Sequence, residues 1–92
     1  QYMNNDKIKA LLATGVQAED IISGQLKIDL VEAEQDFEEK SQIEKDHDYS
    51  DAMESMDRAY AEGFMDALGY IYRLTYDISF ARLELEKERN ND

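Results

Sequence analysis

Carboxylates are the groups this chain holds in quantity. Its 92 residues contain 22 Asp and Glu against 10 Lys and Arg, one histidine (His47) and no cysteine. That inventory permits two kinds of chemistry. Converging carboxylates can hold a hard divalent cation through oxygen, or massed carboxylates can present a negative field to a cationic surface. Cysteine-bound zinc, thiol catalysis and disulfide scaffolds are excluded by composition. Ser23, Ser41, Ser50, Ser55 and Ser79 stand in no nucleophile motif, and the four glycines are too scattered to form a phosphate-cradling loop.

The metal reading rests on two pairs. Asp29 and Glu32 are three residues apart, and Asp66 opens the run Asp66-Ala-Leu-Gly-Tyr-Ile-Tyr-Arg-Leu-Thr75. This segment resembles the helix that follows the aspartate in all-α nucleotide pyrophosphohydrolases of the MazG type. That family holds magnesium with an E-x-x-E pair on one helix and E-x-x-D on the next. The resemblance spans about ten residues and implies a pyrophosphohydrolase as an alternative function. It departs from the pattern at Gly63, where the family has a carboxylate three residues before the aspartate. Glu62 is one residue out of register, and on a helix Glu62 and Asp66 fall opposite the Phe64–Ala67–Ile71 row. At most three ligands would converge, so the sequence predicts no metal, no cofactor and no catalysis.

His47 sits between Asp46 and Asp48 in a polar stretch and reads as a solvated turn. The run Asp46-x-Asp48-x-x-Asp51 lacks the glycine and the terminal glutamate of a calcium loop. The charge distribution is more informative. Residues 29–57 hold twelve acids and two lysines, a net of −10, whereas the other 63 residues hold ten acids and eight bases. Direct binding of DNA or RNA needs a clustered positive footprint, which is missing, and anionic membrane is disfavoured for the same reason. A cationic groove on another protein is the partner such a segment suits. A solvated, solubilising face is the plainer use of the same residues.

The elements that would position these groups read as helices. Residues 1–5 look like a disordered or tag-derived start. Asp6 is the expected N-cap of a helix over 6–14, closed by Gly15 in a left-handed C′ position with Val16 beyond it. Residues 11–22 also look superficially like the turn of helix-turn-helix or ubiquitin-associated modules, a pattern that ordinary capping accounts for. A second helix is predicted over 18–44, with Ile22, Leu26, Leu30, Ala33 and Phe37 inward. Residues 45–50 form a loop. Asp51 or Ser50 then caps a third helix over 51–88, with Glu54 placed for a capping box. In it Tyr60, Phe64, Ala67, Ile71, Leu74, Ile78, Ala81 and Leu85 alternate in steps of four and three, a seam of about four heptads expected to face the second helix. Met65, Gly69, Tyr72, Tyr76 and Phe80 make a second stripe, to be covered either by the first helix or by self-association.

The sequence therefore predicts one all-α domain, a short helix followed by a long antiparallel hairpin, dimerising into a bundle. The alternative is an α+β fold with short strands near 25–31 and 70–80, where residue types alternate. No apolar run is long enough to cross a membrane, so a soluble, cytoplasmic protein is expected. The functional expectation is a small acidic, non-enzymatic protein-binding module. Glu34, Glu38, Glu39, Asp46 and Asp48 would contact a basic surface, as in a phage-type inhibitor or nucleic-acid mimic. A structural subunit or assembly adaptor is the remaining alternative.

Overall fold

The first and third of three helices start at side-chain caps, whereas the second starts after Gln17 with no side-chain cap bond. In the computed structural model, which describes residues 3–91, α1 spans Asn5–Ala13, α2 Ala18–Asp46 and α3 Ala52–Asn90. The cap of α1 is Asn4, whose Oδ1 accepts from the Lys7 amide at 2.8 Å, so Asp6 lies in the first turn and is not the cap. Its C-terminus closes as expected. Gly15 has φ +93°, the Gly15 amide donates to Leu12 O and the Val16 amide to Leu11 O, the paired bonds of a Schellman motif. Of the loose or tag-derived start expected over residues 1–5, Gln1 and Tyr2 lie outside the described residues, whereas Asn4 caps α1 and Asn5 is its first residue.

α2 ends with the same device built from less suitable residues. The Asp48 amide donates to Lys45 O and the Tyr49 amide to Glu44 O, with Asp48 at φ 54° and Tyr49 at φ 59°. Two successive left-handed non-glycine residues cost roughly 1–2 kcal/mol each, and the aromatic one lacks the short polar side chain with which Asp or Asn can offset that cost locally. Tyr49→Gly is accordingly expected to raise the unfolding free energy by about 0.5–1 kcal/mol, after the added entropy of glycine in the unfolded chain. A thermal melt followed by circular dichroism reads this, and a lower melting temperature would contradict it.

α3 begins at the Asp51 cap, whose Oδ1 accepts from the Met53 amide at 2.9 Å. The expected capping box does not form, because Glu54 turns to His47 instead. Residues 25–31 and 70–80 are helical throughout, which replaces the α+β alternative. The unbroken 3–4 spacing outweighs the strand propensity of the tyrosine-rich segment.

α2 and α3 pack as an antiparallel hairpin, and α1 rests on α2 alone. Ion pairs at both ends of the hairpin fix its register. Arg58 Nε donates to Glu44 Oε1 at 3.0 Å near the turn, and Arg82 Nε donates to Glu19 Oε1 at 2.7 Å near the open end. Residues level with one another thus have numbers summing to about 101. The inward row of α2 is largely as predicted (Leu26, Leu30, Ala33, Phe37), but Ile22 is exposed.

The inward row of α3 is not the predicted one. Facing α2 are Arg58, Ala61, Met65, Leu68, Tyr72, Thr75, Ser79 and Arg82, all buried or half-buried. The apolar seam from Tyr60 to Leu85 is turned about 100° away, leaving Tyr60 78% and Phe64 52% exposed. The physical reason lies in the register. Small residues at Ala33 and Ala61 let the helices approach, Thr75 satisfies its buried hydroxyl on Ile71 O and Tyr72 O, and the arginines need the inward positions.

The result is a flat rod of 63 × 31 × 13 Å with a radius of gyration of 18.4 Å, against ~12 Å for a compact chain of this length. Among the described residues the buried apolar ones, Ala33 and Ala61, are both small.

Candidate functional site

Folding the chain at residues 47–51 turns a sequence asymmetry into a spatial one. With the hairpin register above, residues 29–46 lie level with residues 55–72. The half of the rod built by residues 29–72 contains fourteen acids and three bases, a net of −11. The remaining residues of the chain contain eight acids and seven bases, a net of −1. Glu62 and Asp66 of α3 join the acids of α2 in the negative half, which sequence reading alone did not gather.

Part of this charge is answered internally. Glu44 is the most buried acid, 4% exposed. The Ser55 hydroxyl, then the Arg58 guanidinium, hold its carboxyl below the usual carboxylate range, and Glu44 raises Arg58 in return. Arg58 also bonds Glu62, and Lys40 pairs with Asp36 at 2.9 Å. His47 is exposed as expected but is not simply solvated: its Nδ1 lies 2.6 Å from Glu54 Oε2. The other Glu54 oxygen, Oε1, is buried without a hydrogen-bond partner.

The depressed Glu44 carboxyl predicts a pH dependence. Because its folded pKa lies below the ordinary value of 4.5, its stabilisation is fully present above about pH 4.5 and is lost as pH falls through the folded pKa. Glu44→Gln is therefore expected to melt several degrees below the parent chain at pH 7. That gap should close as pH falls through the folded pKa, because the parent's Glu44 is then protonated as well. A gap constant from pH 7 to pH 3 would remove the ionic origin.

The five predicted acids divide between faces. Glu34 and Glu38 stand one turn apart on the same side of α2, whereas at 100° per residue Glu39 and Asp46 lie about 140° and 120° round the helix from Glu34 and about 100° and 80° from Glu38. Asp46 accepts from Gln42 Nε2 at 2.7 Å, and Asp48 occupies the left-handed turn position. All five are exposed.

The structure brings one acid to the aromatic stripe. Glu34 and Leu30 of α2 line an open groove with Met65, Gly69, Tyr72 and Tyr76 of α3, and Asp66 and Arg73 stand at its edge. Met65, Gly69 and Tyr72 are half-buried there, while Tyr76 is 58% exposed. Phe80 lies beyond, in a second shallow groove with Leu83 and Lys87. α1 does not reach α3, so it does not cover the stripe.

The metal-pair residues stay apart in their bonding. Asp29 accepts from Gln25 Nε2, Glu62 is held by Arg58, and Asp66 lines the groove. Among the described residues no three His, Asp or Glu side chains converge to hold a metal ion. Among the described residues no helix is long and apolar enough to cross a membrane.

Sequence reading missed the second clamp entirely. Arg82 gathers Glu19, Asp20 and Glu86 within 3.3 Å, and Ser79 Oγ donates to Asp20 Oδ1 at 2.6 Å. Nearly equal sums of residue numbers, 102 for 44 with 58 and 101 for 19 with 82, were the signal. Comparison with protein families, with characterised proteins and with solved structures finds no match to this chain.

Proposed function

We infer that this chain is a non-enzymatic binding module whose acidic half seats in a cationic groove of another protein. The observation that carries the reading is the net of −11 on residues 29–72 against −1 on the rest. Carboxylates on neighbouring turns lie within a Debye length of ~8 Å at physiological salt, so their fields add instead of being screened separately. Such a field steers association and opposes nucleic acid at the same groove.

The groove beside Glu34 adds specificity to the charge. Tyr72 and Tyr76 line it together with Glu34, Asp66 and Arg73, a combination of aromatic rings and carboxylates that suits a cationic side chain. An arginine stacked on tyrosine and paired with a carboxylate combines cation–π and ionic attraction. The partner class is thus a basic, arginine-bearing protein surface that otherwise takes nucleic acid. By analogy of logic alone, this is how small phage-encoded inhibitors block nucleic-acid-processing machinery.

The test is affinity capture from the source cell, followed by competition on the purified partner. The expected result is a protein whose nucleic-acid binding is displaced by this chain, with affinity falling steeply between ~50 and ~300 mM salt. Capture that is insensitive to salt, or that leaves nucleic-acid binding untouched, would point instead to the assembly-adaptor reading.

A further inference from the structure

We propose that the exposed Tyr60–Leu85 face of α3 binds the same face of a second copy, antiparallel, with residues across the contact summing to 145. The need for a partner is visible in the area. The chain exposes 7259 Å², whereas a compact protein of 10.7 kDa exposes roughly 5,500 Å². The excess, on the order of 1,700 Å² per chain or about 3,400 Å² per pair, falls in the range of roughly 2,000–5,000 Å² in total that obligate homodimer interfaces bury. The face is continuous, apolar and set at strict heptad spacing, and neither α1 nor α2 covers it.

A second copy is the occupant because the face complements itself in one register. Phe64, Ile71, Ile78 and Leu85 fall at one heptad position, and Tyr60, Ala67, Leu74 and Ala81, two of them alanines, at the other. Antiparallel pairing at a sum of 145 sets Phe64 against the partner's Ala81 and Ile78 against the partner's Ala67. Ile71 then meets the partner's Leu74 on either side of the two-fold axis. Every layer pairs a bulky side chain with a smaller or equal one, as uniform helix spacing requires. Parallel pairing would place Phe64 on Phe64 and Ala67 on Ala67, so wide and narrow layers would alternate.

Charge selects the same orientation. An antiparallel dimer lays the −11 half of each rod beside the nearly neutral half of its partner, whereas a parallel dimer stacks two −11 halves. A parallel contact would offer Asp77 the partner's Arg82, but Arg82 is already engaged by Glu19, Asp20 and Glu86. The tyrosine groove beside Glu34 lies on the opposite flank of α3 from this seam, so both surfaces can be occupied together.

The absence of native cysteine makes the register directly testable. Sedimentation equilibrium of the full chain is expected to give twice 10.7 kDa. Phe64→Cys and Ala81→Cys chains, mixed and exchanged, should cross-link readily through a disulfide or a short bis-maleimide. Either variant alone should cross-link at least ~10-fold more slowly, because like positions lie 17 residues, about 25 Å, apart along the antiparallel helices. Leu74→Glu should give the monomer mass, folded or not. A monomeric parent at ~100 µM, a dimeric Leu74→Glu chain, or self-cross-linking of Phe64→Cys as fast as the mixture would each overturn the proposal.

Discussion

Reversing Glu34, Glu38, Glu39, Asp46 and Asp48 to lysine is expected to slow association with the cationic partner by about 10²–10³-fold at low salt. The substitutions change the formal charge by ten units, from −12 to −2, and all five positions are exposed. The hairpin's own ion pairs, Glu44 with Arg58 and Glu19 with Arg82, are untouched. The loss should appear in the association rate more than in dissociation, and its salt dependence should flatten, because steering acts before contact. A matched pair of double variants separates a pole from a diffuse polyanion. Glu38→Lys with Glu39→Lys, in the negative half, should cost at least ~10-fold more in rate than Asp6→Lys with Glu88→Lys, in the other half. Both pairs change the net charge by the same four units, so equal effects would mean that total charge alone governs binding. Stopped-flow association at two ionic strengths decides the matter.

The parts of the molecule legible in the sequence are those that local chemistry specifies. Gly15, the Asp51 cap and the sustained 3–4 spacing gave the helix ends within two residues, and the polar stretch around His47 gave the turn. The inward row of α2 was legible because all five predicted residues are apolar and four of them, all but Ile22, are buried or half-buried. The inward row of α3 was not. Periodicity says which residues favour burial, not which element will bury them, and the most apolar row of α3 is left outside. Arg58 and Arg82 take inward positions through pairs 14 and 63 residues away, a kind of information that no window along one helix contains. The candidate site was half legible for the same reason. The acidic segment is a matter of counting, but the meeting of Glu34 with Tyr72 and Tyr76 depends on the hairpin register.

That register makes Ala61 the most sensitive position for the hairpin. It is 4% exposed and lies on the α2-facing row one turn from Arg58, level with residues 40–41 of α2. Ala61→Leu adds three heavy atoms at one of the most buried positions of the hairpin, and few other side chains are buried to repack around them. Overpacking of this sort costs about 1–3 kcal/mol, and a domain of this size loses roughly 4–8 °C of melting temperature per kcal/mol. Because the Glu44–Arg58 pair forms across the same gap, separating the helices also lets water reach that carboxylate. Ala61→Leu should therefore weaken the acid-induced loss of stability assigned to Glu44. Ala59→Leu is the control: Ala59 is exposed on the same helix, and leucine matches alanine closely in helix propensity, so its melting temperature should stay within about 2 °C of the parent. Equal losses at the two positions would mean that the helices are not held at close approach through Ala61, and the inward row assigned to α3 would have to be reassigned to the apolar seam.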